Sequence, residues 1–180
     1  RAAPGKVLVE LFVMSKCPDA LVCENVFGPV LKDFAHAVDV SFEYIGLVKG
    51  DSLLCMHGPT ECKRNAQQLC AQAAGNTSQL IDFVLCQNRK GIEEDCVAKA
   101  GYDSELMEQC AASSTGLDML AKSFGVSQSR GIRLSCTATI NGKDFCEHDG
   151  QWANCGQCDG YADKGACLRA KLCELSPGAC

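Results

Sequence analysis

No run of apolar residues in this chain of 180 residues approaches the roughly 18 that a membrane-spanning helix needs. The longest, Val7 to Met14, is interrupted by Glu10. Basic clusters are missing too. With 17 Lys and Arg against 22 Asp and Glu the net charge is −5, and no cationic stripe offers a surface to nucleic acid. Only three histidines are available as metal ligands. The N-terminus lacks the form of a signal peptide: Arg1-Ala-Ala-Pro4 leads almost directly into a strand-like run, as in a mature, processed chain. Internal repeats and low-complexity segments are absent. The length suits one ordinary domain and is too short for two.

What the chain has in excess is cysteine. There are 15, running from Cys17 to Cys180, most of them 6 to 26 residues apart. Cys155 and Cys158 alone have the two-residue spacing of a zinc knuckle. Dispersed cysteines in such number read as disulfides, and so as an oxidising lumen or the cell exterior. Asn76-Thr77-Ser78 is a glycosylation sequon at Asn76 that fits this compartment. An odd count leaves at least one sulfur free, bound to something else, or paired in a disulfide-linked dimer.

Val7 to Val13 is rich in β-formers and reads as a buried strand. Cys17 follows, and Pro18 suits the first position of a helix. The helical pattern runs through Leu31 and Phe34, with a kink expected at Gly28-Pro29. Val38 to Ile45 alternates as a second strand, and residues 46 to 60 read as loop. From about Glu61 to Phe124 the pattern is helical, in four or five pieces broken at Gly75-Asn76, Gly91, Gly101 and Gly116. Ile132 to Ile140 is strand-like, and Asn141-Gly142 signals a tight hairpin into Asp144-Phe145. A strand, a helix beginning at a cysteine and a parallel strand is the opening of a thioredoxin fold. The expected architecture is therefore α/β and thioredoxin-like over residues 1–146, with a helical insertion at about 61–124. Residues 147–180 would form a cysteine-rich cap stapled by disulfides because it holds few large apolar residues beyond Trp152 and Leu168.

The segment Cys55-Met-His57-Gly58-Pro-Thr-Glu61-Cys62-Lys-Arg-Asn65-Ala-Gln-Gln-Leu-Cys70 resembles the signature of the gamma-interferon-inducible lysosomal thiol reductase family, C-x-H-G-x2-E-C-x2-N-x4-C. All seven fixed positions match. Helices carrying Cys86, Cys96 and Cys110, and the late Ala138-Thr-Ile-Asn-Gly-Lys143, extend the resemblance over roughly 7 to 145. Cys62 and Cys70 stand about 12 Å apart along a helix, too far to bond each other, so each reaches another segment. His57 and Glu61 either poise a proton near the site or simply shape a turn and cap a helix.

The resemblance places the nucleophile at Cys17. A strand end and a helix N-terminus give a cysteine partial exposure and a positive pole that favours the thiolate, with Lys16 beside it. The family's second cysteine would fall at position 20, which is Ala here, and the next is Cys23. If residues 17 to 23 are helical, those two Cα atoms lie about 9 Å apart along the axis, beyond the roughly 7 Å limit of a bridge. A Cys17–Cys23 bond therefore needs a loop at Pro18–Val22. It remains the expected pairing, because short loops close at least entropic cost. The cis-proline that faces the nucleophile in this fold would fall at position 136, which is Cys136, so Cys17 and Cys136 are expected to face each other. Cys155-Gly-Gln-Cys158 is a true C-x-x-C. With no strand before it and no clear helix after it, it reads as part of a disulfide knot of Cys146, Cys155, Cys158, Cys167, Cys173 and Cys180, ahead of a redox centre or a zinc site.

The implied activity is thiol–disulfide exchange. Cys17 attacks a protein disulfide, forms a mixed disulfide and is released by a second thiol, Cys23 or a small reductant. No nucleotide, flavin or metal is implied. The implied compartment is a lysosomal or vacuolar lumen, or the exterior. Ala20 and Cys136 keep a second reading open, a family member without catalysis that binds or supports other proteins. A third would use Cys17, Cys23 and Cys136 as a thiolate metal cluster.

Overall fold

The computed structural model describes residues 5–89 and 95–180. The opening Arg1–Pro4 and the break expected at Gly91 lie outside them. Strand β1 (Val7–Val13) buries Val7, Val9, Leu11, Phe12 and Val13, and pairs in parallel with β2 (Val38–Tyr44), whose alternate residues Val38, Val40, Phe42 and Tyr44 are buried. Between them runs α1 (Pro18–Asp33), with Cys17 at its N-cap in extended conformation and Pro18 in its first turn. The helix is continuous through Gly28-Pro29.

Residues 46 to 60 are not all loop: β3 (Leu47–Lys49) and β4 (Ser52–Leu54) form a small separate hairpin. The insertion consists of α2 (Pro59–Ala74), α3 (Thr77–Gln87), α4 (Cys96–Lys99), α5 (Ser104–Ala112) and α6 (Ser114–Ser129). Its last break falls at Ser113 rather than Gly116. Ser113 caps α6 through Gly116 N–H, and Gly116 is held inside the helix because a Cβ would lie 2.3 Å from the Cys110 carbonyl oxygen. Glycine there marks a close approach, not a stop.

The chain returns as β5 (Thr137–Ile140), antiparallel to β1, and turns at Asn141-Gly142, both at positive φ, into β6 (Lys143–Asp149). Strand β6 runs past the boundary expected at 146, and β7 (Gln151–Ala153) adds an edge, giving the order β2-β1-β5-β6-β7. The tail also contains a helix that its pattern did not announce, α7 (Lys164–Leu175). Asp163 caps it by accepting from Ala166 N–H, and Leu168 and Leu172 are buried. Their stripe is short because Cys167 fills the place of a larger apolar residue. Trp152 packs on Phe27 of α1 at 5.3 Å between ring centroids, so the tail joins the main core instead of building its own. No helix among the described residues is long and apolar enough to cross a membrane.

Candidate functional site

Three elements converge on Cys17: the β1–α1 loop, the start of α2, and the segment entering β5. The loop Met14-Ser15-Lys16 has no regular structure of its own, so each of its backbone N–H groups needs an acceptor. Met14 N–H donates to Ser135 Oγ at 2.8 Å, Ser15 N–H to Asn65 Oδ1 at 3.2 Å and Lys16 N–H to Glu61 Oε2 at 3.2 Å. Cys17 N–H closes a turn onto the Met14 carbonyl at 2.8 Å. Glu61 and Asn65, one turn apart on α2, are fully buried. Two residues of the signature therefore hold the loop that carries the sulfur.

Glu61 does more. Its carboxylate accepts from His57 N–H and faces His57 Nδ1 at 2.5 Å, while Gly58 turns the chain at φ 86° to start α2. One carboxylate thus holds both the turn at His57-Gly58 and the Lys16 amide. The signature cysteines close the frame: Cys55 bonds Cys62, and Cys70 ties α2 to Cys110 on α5. Cys86 on α3 bonds Cys96 on α4.

Cys17 is the single free cysteine of the chain, and it is buried to 8% exposure. The expected Cys17–Cys23 bond does not form. Helix α1 is regular from Pro18, which sets the two Cα atoms about 9 Å apart along its axis. Cys23 is instead bonded to Cys136, closing a separation of 113 residues. Both sulfur-bearing residues are inaccessible to solvent, so Cys23 is not a free resolving thiol. Ala20, where a second redox cysteine would sit, is buried beside them. The Ser135–Cys136 peptide is cis, and the Ser135 carbonyl accepts from Cys17 Sγ at 3.8 Å, so the segment carrying Cys136 does face Cys17. In the tail, Cys155 and Cys158 do not pair with each other: the bridges are Cys146–Cys155, Cys158–Cys167 and Cys173–Cys180. Among the described residues no group of three or more His, Cys, Asp or Glu side chains is placed to hold a metal.

Two residues at the site escaped the sequence reading. Asp19, two positions after Cys17, turns one carboxylate oxygen toward Cys17 Sγ at 3.8 Å. Its other oxygen accepts from Gly150 N–H and from His148 Nδ1, each at 2.7 Å. The Gly150 bond chiefly holds the Asp19 carboxyl below its ordinary range, with desolvation opposing and His148 adding to the effect. His148, on β6, is buried and exchanges both backbone hydrogen bonds with Cys136. An acidic residue in the first helical turn was the one visible signal for Asp19. His148 lies 129 residues away from it and gave none.

A cleft of about 680 Å³ opens beside the loop, walled by Met14, Ile45, Leu47, Leu54, Met56 and Ile132, with Arg133 as its charged residue. Leu47 and Met56 are exposed to 60% and 76%, high for large apolar residues.

Several solved structures share this fold. Reduced DsbA from Mycobacterium tuberculosis aligns with TM-score 0.61 at 16% identity, over 100% of this chain and 94% of that one. Oxidised BdbD from Bacillus subtilis gives 0.61 at 16% identity, over 98% and 91%. Reduced DsbG from Mycobacterium tuberculosis gives 0.61 at 17% identity, over 99% and 86%. These confirm the thioredoxin-type fold. No curated protein sequence matches the chain. The model of the family described as gamma interferon inducible lysosomal thiol reductase (GILT) matches residues 8–114, more than half of the chain, and spans both Cys17 and the signature that holds its loop. By that match the chain belongs to the GILT family and is a thiol–disulfide oxidoreductase.

Proposed function

We propose that this protein exchanges disulfides through one cysteine and depends on an external thiol to turn over. The observation that carries the reading is the pairing of 14 cysteines in seven bridges, with Cys17 left free at the N-cap of α1. The Cys17 thiolate attacks one sulfur of a substrate disulfide. A bond forms between Cys17 Sγ and that sulfur, and the other sulfur leaves as a thiolate. With Ala at position 20 and Cys23 already bonded, no thiol of the chain stands ready to displace the substrate. A small thiol attacks the mixed disulfide, leaves bonded to the substrate sulfur, and returns Cys17 as thiolate.

Disulfide-containing proteins are the proposed substrates, supported by the apolar cleft next to the nucleophile loop. The seven bridges point to an oxidising lumenal or extracellular compartment. Within that range we propose a lysosomal or vacuolar lumen or secretion, with a glycan on Asn76, which is exposed at the N-cap of α3.

The experiment is exposure of the native protein to glutathione disulfide, read by intact mass, followed by an insulin-reduction assay with and without added thiol. The expected result is one adduct per chain, on Cys17, and turnover only with the thiol present. Cys17→Ser takes up no adduct. Ala20→Cys supplies a resolving thiol and raises turnover at low external thiol. Absence of both adduct and turnover in the native protein would remove the exchange reading and leave a protein that only binds.

A further inference from the structure

Among the described residues, the β3–β4 hairpin is the one strand pair outside the main sheet. Its first strand, Leu47-Val48-Lys49, is exposed at all three positions, and Leu54 and Met56 are exposed after it. Clustered apolar side chains left in water mark a surface built for a partner. The hairpin is nonetheless anchored at both ends. Gln128 Nε2 on α6 donates to the Gly46 carbonyl at 2.9 Å, and the Cys55–Cys62 bridge pins the chain leaving the hairpin to α2. The signature disulfide thereby holds one wall of the cleft of about 680 Å³.

The opposite wall leads to the sulfur. Ile132 and Arg133 line the cleft, and Ser135, three residues after Ile132, places its carbonyl 3.8 Å from Cys17 Sγ. Three residues span at most about 11 Å of chain. Met14 lines the cleft as well, and its carbonyl accepts from Cys17 N–H at 2.8 Å. A polypeptide bonded to Cys17 therefore reaches the cleft within roughly three or four extended residues of its own cysteine. Because Cys17 is recessed where three elements meet, the attacked disulfide has to arrive on a thin segment. An extended strand meets that demand, and the convex face of a folded domain does not.

The lining states what that strand carries. The cleft has the volume of a small-ligand pocket and apolar walls, so it takes an apolar side chain. Met14 and Met56 adapt to side chains of different shape. Arg133 is exposed at the rim, and its guanidinium makes no hydrogen bond or ion pair among the described residues. In a chain of net charge −5 it is a local point of attraction for an acidic group.

We propose that the cleft between the β3–β4 hairpin and Ile132-Arg133 recognises unfolded substrate. It holds an apolar side chain three or four residues from the attacked cysteine, with an acidic neighbour at Arg133, a role that rests on Cys17 as the nucleophile.

The probes are short synthetic peptides whose single cysteine is activated as a mixed disulfide with thionitrobenzoate. Cys17 thiolate attacks the peptide sulfur, the Cys17–peptide bond forms, and the coloured aromatic thiolate leaves with the electron pair. Each peptide carries Phe or Ser three residues from its cysteine, and Glu or Lys beside that position. Rates are compared as ratios between peptides on one protein, which cancels any change at Cys17 itself. On the native protein Phe should outpace Ser about tenfold, the lower end of what burying a Phe side chain gives. Glu should outpace Lys severalfold. With Leu47→Ser and Met56→Ser together the first ratio should fall below about twofold, and Arg133→Glu should invert the second. Cross-linking the Phe peptide into a helix more than halves its reach and should erase its advantage. Intact mass verifies the bridges in every sample. Ratios near one on the native protein, or a helical peptide that reacts as well, would overturn the inference and leave exchange at Cys17 standing. So would a dimer in sedimentation that Leu47→Ser dissolves, since a second copy would then cover the hairpin. The converse separation uses the Phe peptide with Ser for its cysteine, labelled with a fluorophore and titrated with Cys17→Ser protein. Binding that is lost with Leu47→Ser and Met56→Ser, beside a native Cys17 inert to every disulfide, would keep the peptide surface and refute the exchange reading alone.

Discussion

The two cysteine-rich regions of this chain use their sulfurs in opposite ways. In the tail and at its junction with β6, three bridges close over separations of only 9, 9 and 7 residues. Around α1, one bridge spans 113 residues to Cys136, and the neighbouring cysteine is left without a partner. The tail bridges supplement a segment with few large apolar side chains. The long bridge clamps α1 to the segment that faces the nucleophile and hides both its sulfurs from solvent. A bridge therefore says little by itself. What it joins decides whether it replaces a core or frames a site.

The largest test of that contrast is loss of the long bridge. In the chain-entropy model a loop of this size is worth about 4–5 kcal/mol, so Cys23→Ala with Cys136→Ser should lower the unfolding free energy by about that amount in a urea titration. The next test is electrostatic. Tail acids Asp159, Asp163 and Glu174 are exposed, whereas Glu24, one residue beyond Cys23, is fully buried. Desolvation pushes Glu24 up to about 7, against the pull of its bond from Asn88 and the charge of Arg64. The folded protein holds this proton while the unfolded chain releases it near 4.5, so stability is lost as pH rises from about 4.5 to 7. The loss is on the order of 3 kcal/mol. Glu24→Gln should remove that part of the pH slope and leave stability near pH 4 almost unchanged. The smallest effect belongs to the tail: Cys173→Ser with Cys180→Ser opens a short loop and should cost about 2–3 kcal/mol, with disulfide exchange at Cys17 intact. A tail pair as costly as the long bridge, or as damaging to exchange, would erase the contrast.

Local chemistry made much of this legible in the sequence. The β-branched run before Cys17, Pro18 after it and Asn141-Gly142 each dictate a short stretch of backbone, and the structure follows all three. The misreadings were of tertiary origin. Gly116 looked like a break because its packing against the Cys110 carbonyl lies outside any local pattern. Helix α7 was missed because cysteine replaces the apolar residues that would reveal its period. Cys23 was matched to Cys17 on loop entropy, yet the regularity of α1 forbids the pairing, and the true partner arrives from the segment entering β5. Glu61 and Asn65 were visible as signature residues. That they hold the Ser15 and Lys16 amides needed the approach of α2 to the β1–α1 loop.

The connectivity of the long bridge also has a temporal side. A ribosome delivers Cys17 and Cys23 together and Cys136 only 113 residues after Cys23. During that interval Cys23 lacks its final partner and stands six residues from the most convenient wrong one in the chain. The safeguard is α1 itself: once wound from Pro18, it separates the two sulfurs by more than a bridge can span. The helix that presents the reactive cysteine thus also keeps it out of reach of its nearest neighbour in sequence.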